Sequence, residues 1–138
     1  MSRLDLDPLR RAVEQLDAGL AEASATPASE LLRDGVIQRF EYTYELAWKM
    51  LKRFLEATAP NAAVIDAMSF PDLIRTGSEQ GLLLSGWDVW KDYRRARGTS
   101  SHTYDAAKAR EIFAIVPRFL KDARALLSEL ERRNRGER

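Results

Sequence analysis

The residues of this 138-residue chain best suited to chemistry gather in one stretch, KDYRRARGTSSHTYD, positions 91–105. Lys91, Arg94, Arg95 and Arg97 supply cations, His102 a side chain that exchanges a proton near neutral pH, and Tyr104 a phenol. Arginine's planar fork of permanently charged donors matches phosphate oxygens. Together these residue types suit phosphodiester cleavage in RNA. A ribose 2′-OH attacks the adjacent phosphorus while His102 takes part in proton transfer and Arg97 stabilises the charge gathering on the phosphoryl oxygens, with no metal required. Thr99, Ser100 and Ser101 add hydroxyl donors for RNA or phosphate beside Lys91, Arg94 and Arg95. Five positions of an ideal helix turn through about 500°, which aims Arg97 and His102 to different sides. A helix that stops at Gly98 lets them converge.

The elements that must hold this stretch read as helices, since no run alternates with period two between hairpin turn residues. Leu9, Val13, Leu16 and Leu20 predict a helix over 7–22, with Asp5 or Asp7 to cap it and Pro8 in its first turn. Ser29 precedes the longest helix, 30–56, whose apolar stripe includes Leu32, Val36, Ile37, Phe40, Tyr44, Trp48, Leu51 and Leu55. Residues 57–70 are open between a turn of helix and a packed loop. Ser69 and Pro71 then start a short helix that ends at Gly81, a left-handed terminator. Trp87, Trp90, Arg94 and Arg97 share one face of a helix over 87–97. Asp105 caps the last helix, which reaches Arg132 and is expected to kink at Pro117. The expected architecture is all-α: an up-and-down bundle of four to five helices in one domain, 1–132, followed by a charged flexible tail, 133–138.

Composition bounds the function. With 22 Lys+Arg against 21 Asp+Glu the net charge is +1, so any polyanion site is local rather than a global basic field. The absence of cysteine removes thiol nucleophiles and Cys-ligated metals, and a single histidine removes a multi-histidine site within one chain, so no metal and no cofactor is assigned. The start MSRLDLDPLRR lacks the apolar core of a leader and no apolar run approaches bilayer length, which predicts a cytoplasmic protein with no membrane partner.

Each chemical residue also has a plainer reading. His102 beside an arginine suits a packed helix junction, and Lys91, Arg94 and Arg95 suit a solvated helix face. Trp87 and Trp90 suit core or dimer anchors, as do Phe40, Tyr44 and Trp48. Glu41 and Glu45, four apart, read as exposed ion pairs with Lys49 and Lys52 rather than a metal pair. Tyr104 suits an exposed helix start.

A family resemblance weighs between these readings. Arg97-Gly98-Thr99-Ser100-Ser101-His102-Thr103-Tyr104 resembles the R-x4-H-x-Y motif of the HEPN superfamily, in its HepT-like branch, also called the nucleotidyltransferase substrate-binding protein family. RFEYTYELAWKMLKRFL, 39–55, is similar to that family's long-helix signature, and 81–87 to the stretch before its motif helix. The resemblance implies a homodimeric toxin of a toxin–antitoxin pair, a metal-independent endoribonuclease whose two motifs face each other across a cleft. Arg97 would stabilise the phosphate and His102 transfer the proton. Tyr104 would receive AMP (AMPylation) from a cognate minimal nucleotidyltransferase acting as antitoxin. Asn commonly follows the motif arginine in the family, and Gly98 stands there in this chain. The alternatives are a non-catalytic substrate-binding subunit of a two-component nucleotidyltransferase and a plain helical dimerisation module.

Overall fold

The computed structural model describes residues 4–136, and every regular element among them is helical. The helices are α1 (Asp7–Ala25), α2 (Glu30–Thr58), α3 (Ala62–Asp66), α4 (Phe70–Glu79), α5 (Trp87–Thr99) and α6 (Ala106–Asn134). The five helices expected from periodicity are all present. α2 is the centre of the bundle and touches each of the others, while α6 also packs on α1 and α5, and α4 on α5. Among the described residues no helix is long and apolar enough to cross a membrane.

The helix starts follow local side-chain chemistry. Ser29 Oγ accepts from Leu32 N at 3.1 Å, Ser69 Oγ from Asp72 N at 3.3 Å, and Asp105 Oδ1 from Ala107 N at 3.0 Å and Lys108 N at 3.3 Å. Each satisfies a donor that the first turn leaves open, worth about 1 kcal/mol. α1 and α5 are the exceptions: Gly86 is the N-cap of α5 and offers no side chain, and Leu6 is the N-cap of α1, where Asp5 Oδ1 accepts instead from Asp7 N at 3.1 Å. The undecided stretch 57–70 contains one turn of helix, α3, started by Asn61 Oδ1 accepting from Ala63 N and anchored by buried Ile65. Gly81 has φ +75°, the left-handed geometry that lets the chain turn after α4.

Phe40, Tyr44, Trp90, Tyr93 and Phe119 form an aromatic centre where α2, α5 and α6 meet. Phe119 meets Phe40 edge-on at 4.9 Å and Tyr93 at 5.2 Å. Trp90 and Tyr93 are therefore core, which fixes the rotation of α5 and turns Arg94 and Arg97 toward α2 and α4. One polar pair sits inside this centre: the Tyr93 hydroxyl donates to the Asp122 carboxylate, and Asp122 is only 2% exposed. Burial and that carboxylate push the Tyr93 phenol well up, so it stays protonated.

Two boundaries differ from expectation. α5 does not stop at Gly98 but runs to Thr99, because Gly98 takes no positive φ and a Cβ there would meet nothing within 4 Å. At the other end, residues 133 and 134 are not tail. α6 continues through Asn134, whose side chain pairs with both backbone groups of Leu4 at 3.0 Å, while Arg133 Nη2 donates to Gln80 O at 2.6 Å. Residues 137 and 138 of the expected tail lie outside the described residues, and Pro117 sits within α6 on its exposed side.

Candidate functional site

Arg97 lies in the last turn of α5, where that helix crosses α2. Glu41 and Glu45 are one turn apart on α2 and present two carboxylates to it. Arg97 Nη1 donates to Glu41 Oε2 at 3.1 Å and to Ser100 Oγ at 3.3 Å. Ser100 Oγ also donates to Glu41 Oε2 at 2.7 Å. Arg97 Nε is 3.4 Å from Glu45 Oε1, near enough for charge attraction but too poorly aligned for a hydrogen bond, which leaves a buried N–H unpaired. The guanidinium is thus fixed in position by Glu41 and Ser100.

The chain leaves α5 through a tight turn. His102 N donates to Thr99 O at 3.0 Å and Asp105 N to His102 O at 3.0 Å, and Asp105 then starts α6. The expected break between Arg97 and His102 is present, two residues later than Gly98. His102 Nδ1 lies 2.9 Å from the Tyr104 hydroxyl, and the tyrosine is 83% exposed. Among the described residues no hydrogen bond links Arg97 with His102. Arg97 turns to α2, and His102 turns to Tyr104.

The other expected site residues divide. Arg94 stacks over the Phe70 ring at 5.0 Å on the α2–α4 side of α5, and no carboxylate lies within ion-pair distance of it among the described residues. Arg95 instead borders a hollow of about 240 Å³ against Lys108 of α6, and Asp92 is 3.8 Å from it. Lys91 and Ser101 are exposed. The Thr99 hydroxyl bonds back to Arg95 O and Ala96 O, within its own helix. Ser100, expected as a phosphate donor, is 2% exposed and committed to Glu41, which makes it a positioning group. The expected phosphate-binding set therefore forms no single patch.

Arg97 borders two clefts. One, of about 510 Å³, opens along α2 past Glu41 and Lys49. The other, of about 590 Å³, runs between α2, α4 and α5 and is walled by Tyr44, Trp48, Phe70, Lys52, Arg94 and Arg97. Burial pushes the Tyr44 phenol up, more strongly than the nearby Arg94 and Arg97 lower it, so its hydroxyl stays neutral. Glu41, Glu45, Lys52 and Phe70 were not among the expected site residues. The expected ion pairing of the two glutamates holds only for Glu45 with Lys49, at 3.8 Å, because Lys52 pairs with Asp66 at 3.2 Å and Glu41 with Arg97. Among the described residues no group of three or more His, Asp or Glu side chains is placed to hold a metal ion.

The fold and site define an all-helical bundle with an Arg-x4-His-x-Tyr segment at the turn between its last two helices. The chain belongs to the nucleotidyltransferase substrate binding protein like family, whose sequence pattern matches residues 4–132. It is 41% identical over 100 residues, 72% of this chain and 68% of the relative, to the probable ribonuclease HepT of Haemophilus influenzae. A solved Haemophilus influenzae structure, described as revealing the fold of a substrate-binding domain of a nucleotidyltransferase, superposes with a TM-score of 0.86 at 33% identity, covering 92% of this chain and 99% of that one. A crystal structure of a Thermus thermophilus protein superposes with a TM-score of 0.70 at 29% identity, covering 90% and 99%. The HepT-like resemblance read from Arg97, His102 and Tyr104 is thereby matched by a relative of that name.

Proposed function

We propose that the chain is a HepT-like endoribonuclease toxin that cuts RNA without a metal, acts as a homodimer in the cytoplasm, and is silenced when a minimal nucleotidyltransferase adds AMP to Tyr104. The observation that carries this reading is the 2.9 Å contact between His102 Nδ1 and the exposed Tyr104 hydroxyl, one turn of chain beyond a clamped Arg97. The relative's name supports RNA as substrate, and the description of the Haemophilus influenzae structure supports a nucleotidyltransferase partner.

In cleavage, the 2′-oxygen attacks phosphorus and gives up its proton while the P–O5′ bond breaks and O5′ gains one. The products are a 2′,3′-cyclic phosphate and a 5′-hydroxyl. His102 serves one of these proton transfers and Arg97 neutralises the non-bridging oxygens. In silencing, the Tyr104 oxygen attacks the α-phosphorus of ATP, pyrophosphate leaves, and the phenol loses its proton. The new phosphodiester removes the hydroxyl that faces His102 and sets negative charge beside the imidazole. A second reading, a non-catalytic subunit that presents substrate to the nucleotidyltransferase, draws on the commitment of Arg97 to Glu41 and Ser100 and on Gly98.

The purified protein is expected to cut RNA in EDTA. His102→Ala and Arg97→Ala should each lower the rate by about a hundredfold or more with helicity unchanged. An inert wild type that binds the nucleotidyltransferase supports the second reading instead. Incubation with that enzyme and ATP should add AMP-sized mass to the wild type and none to Tyr104→Phe; addition to the variant excludes Tyr104.

A further inference from the structure

The cleft between α2, α4 and α5 has the make-up of a nucleotide site, and neither Trp48 nor Phe70 is explained by proton or phosphate chemistry. Its volume, about 590 Å³, falls within the range of small-ligand pockets. Its aromatic walls are held rigid. Trp48 meets Phe70 edge-on at 5.9 Å, and its indole Nε1 donates to Glu45 Oε2 at 3.2 Å. Phe70 carries Arg94 on its face at 5.0 Å. With that face covered, Phe70 serves to position Arg94, and the Trp48 indole is the aromatic wall against which a base stacks, whatever its sequence.

Charge points the same way. Lys52, Arg94 and Arg97 border the cleft; Lys52 is paired with Asp66 at 3.2 Å and Arg97 with Glu41 and Glu45, so the spare positive charge of its lining sits on Arg94. Arg94 is the telling residue, held in place by Phe70 yet facing no carboxylate within ion-pair distance among the described residues. A fixed fork of donors without an anion suits a phosphate. Arg97 borders the same cleft, which ties it to one residue of the cleavage motif.

We propose that this cleft receives one unstacked nucleotide of the RNA strand, its base against Trp48 and its phosphate on Arg94, with an adjoining phosphate at Arg97. The choice of RNA rests on the ribonuclease reading. The shared chemistry, a base with an adjacent phosphate, is also that of a free mononucleotide.

The test measures anisotropy of a fluorescein-labelled, fully 2′-O-methylated eight-nucleotide RNA, which lacks the attacking hydroxyl, with the full chain at several salt concentrations. Trp48→Leu should weaken binding at least about fivefold. Arg94→Gln, on an exposed side chain and so safe for folding, should reduce the slope of log K against log salt by about 0.7. AMP should displace the oligonucleotide, and inorganic phosphate at equal concentration should not. The proposal is overturned if both variants bind like the wild type, or if phosphate competes as well as AMP. AMP binding as tightly as the oligonucleotide overturns the strand assignment. A wild type that binds through Trp48 and Arg94 but cuts nothing supports the cleft and removes the nuclease reading. A working nuclease indifferent to both substitutions removes the cleft alone.

Discussion

Replacing Glu41 with alanine removes the acceptor that both Arg97 Nη1 and Ser100 Oγ share, at 3.1 and 2.7 Å. The Arg97 side chain is 36% and that of Glu41 26% exposed, so after solvent screening the pair is worth no more than about 1 kcal/mol. The Ser100 bond to a charged acceptor adds about 1 kcal/mol, at the low end because Ser100 Oγ keeps Arg97 O at 2.8 Å. The expected loss is about 2 kcal/mol. With an unfolding entropy of about 2.1 cal/mol/K per residue over 138 residues, that lowers Tm by about 7 °C. A double-mutant cycle isolates the ion pair: thermal melts followed at 222 nm for Glu41→Ala, Arg97→Ala and the double variant should yield a coupling of about 1 kcal/mol. Single losses that add to within about 0.3 kcal/mol would show that Glu41 does not hold Arg97, and the positioning argument would fail.

Other consequences are as accessible. The Tyr44 and Tyr93 phenols are raised in the fold above their ordinary value near 10, so their contribution to stability is complete below that pH and is lost as pH rises beyond it. Chemical denaturation should show stability falling by up to about 1.4 kcal/mol per pH unit for each tyrosine above pH 10, with the slope reduced in Tyr93→Phe; a flat profile to pH 11 refutes it. Deleting residues 133–138 removes the Asn134–Leu4 pair and the Arg133–Gln80 bond and should cost about 2 kcal/mol, whereas a dispensable tail would leave Tm unchanged. Gly77→Ala drives a Cβ to 3.0 Å from Leu51 and 3.2 Å from Leu83 and should destabilise by about 1–2 kcal/mol. Gly35→Ala, with nothing within 4 Å, should stabilise by about 0.5–1 kcal/mol, and equal effects at the two glycines would refute the packing argument.

What was legible in the sequence is what neighbours along the chain decide. The caps at Ser29, Ser69 and Asp105, the apolar stripes of α2 and α6 and the left-handed Gly81 depend on residues within a few positions. Gly98 misled because a glycine ends a helix when the chain needs a positive φ. Here α5 ends instead at Ser100, in ordinary right-handed geometry, with its hydroxyl turned back to Arg97 O. The partner of Glu41 lies 56 residues away, so its spacing from Glu45 and Lys49 gave the wrong neighbour. Arg133 and Asn134 looked like a solvated end because Gln80 and Leu4, which hold them, are 53 and 130 residues distant. At the site, the residue types of the motif were readable, but which hydroxyls remain free and which way each cation turns depend on how α5 is rotated by Trp90 and Tyr93.

The central claim, that His102 and Arg97 promote attack by the RNA's own 2′-hydroxyl, is tested most directly by the ends of the products. RNA incubated with the purified protein in EDTA should yield fragments with 2′,3′-cyclic phosphate and 5′-hydroxyl termini, and His102→Ala should yield none above background. Fragments bearing 5′-phosphates, or the same cyclic ends at the same rate from His102→Ala, would contradict it.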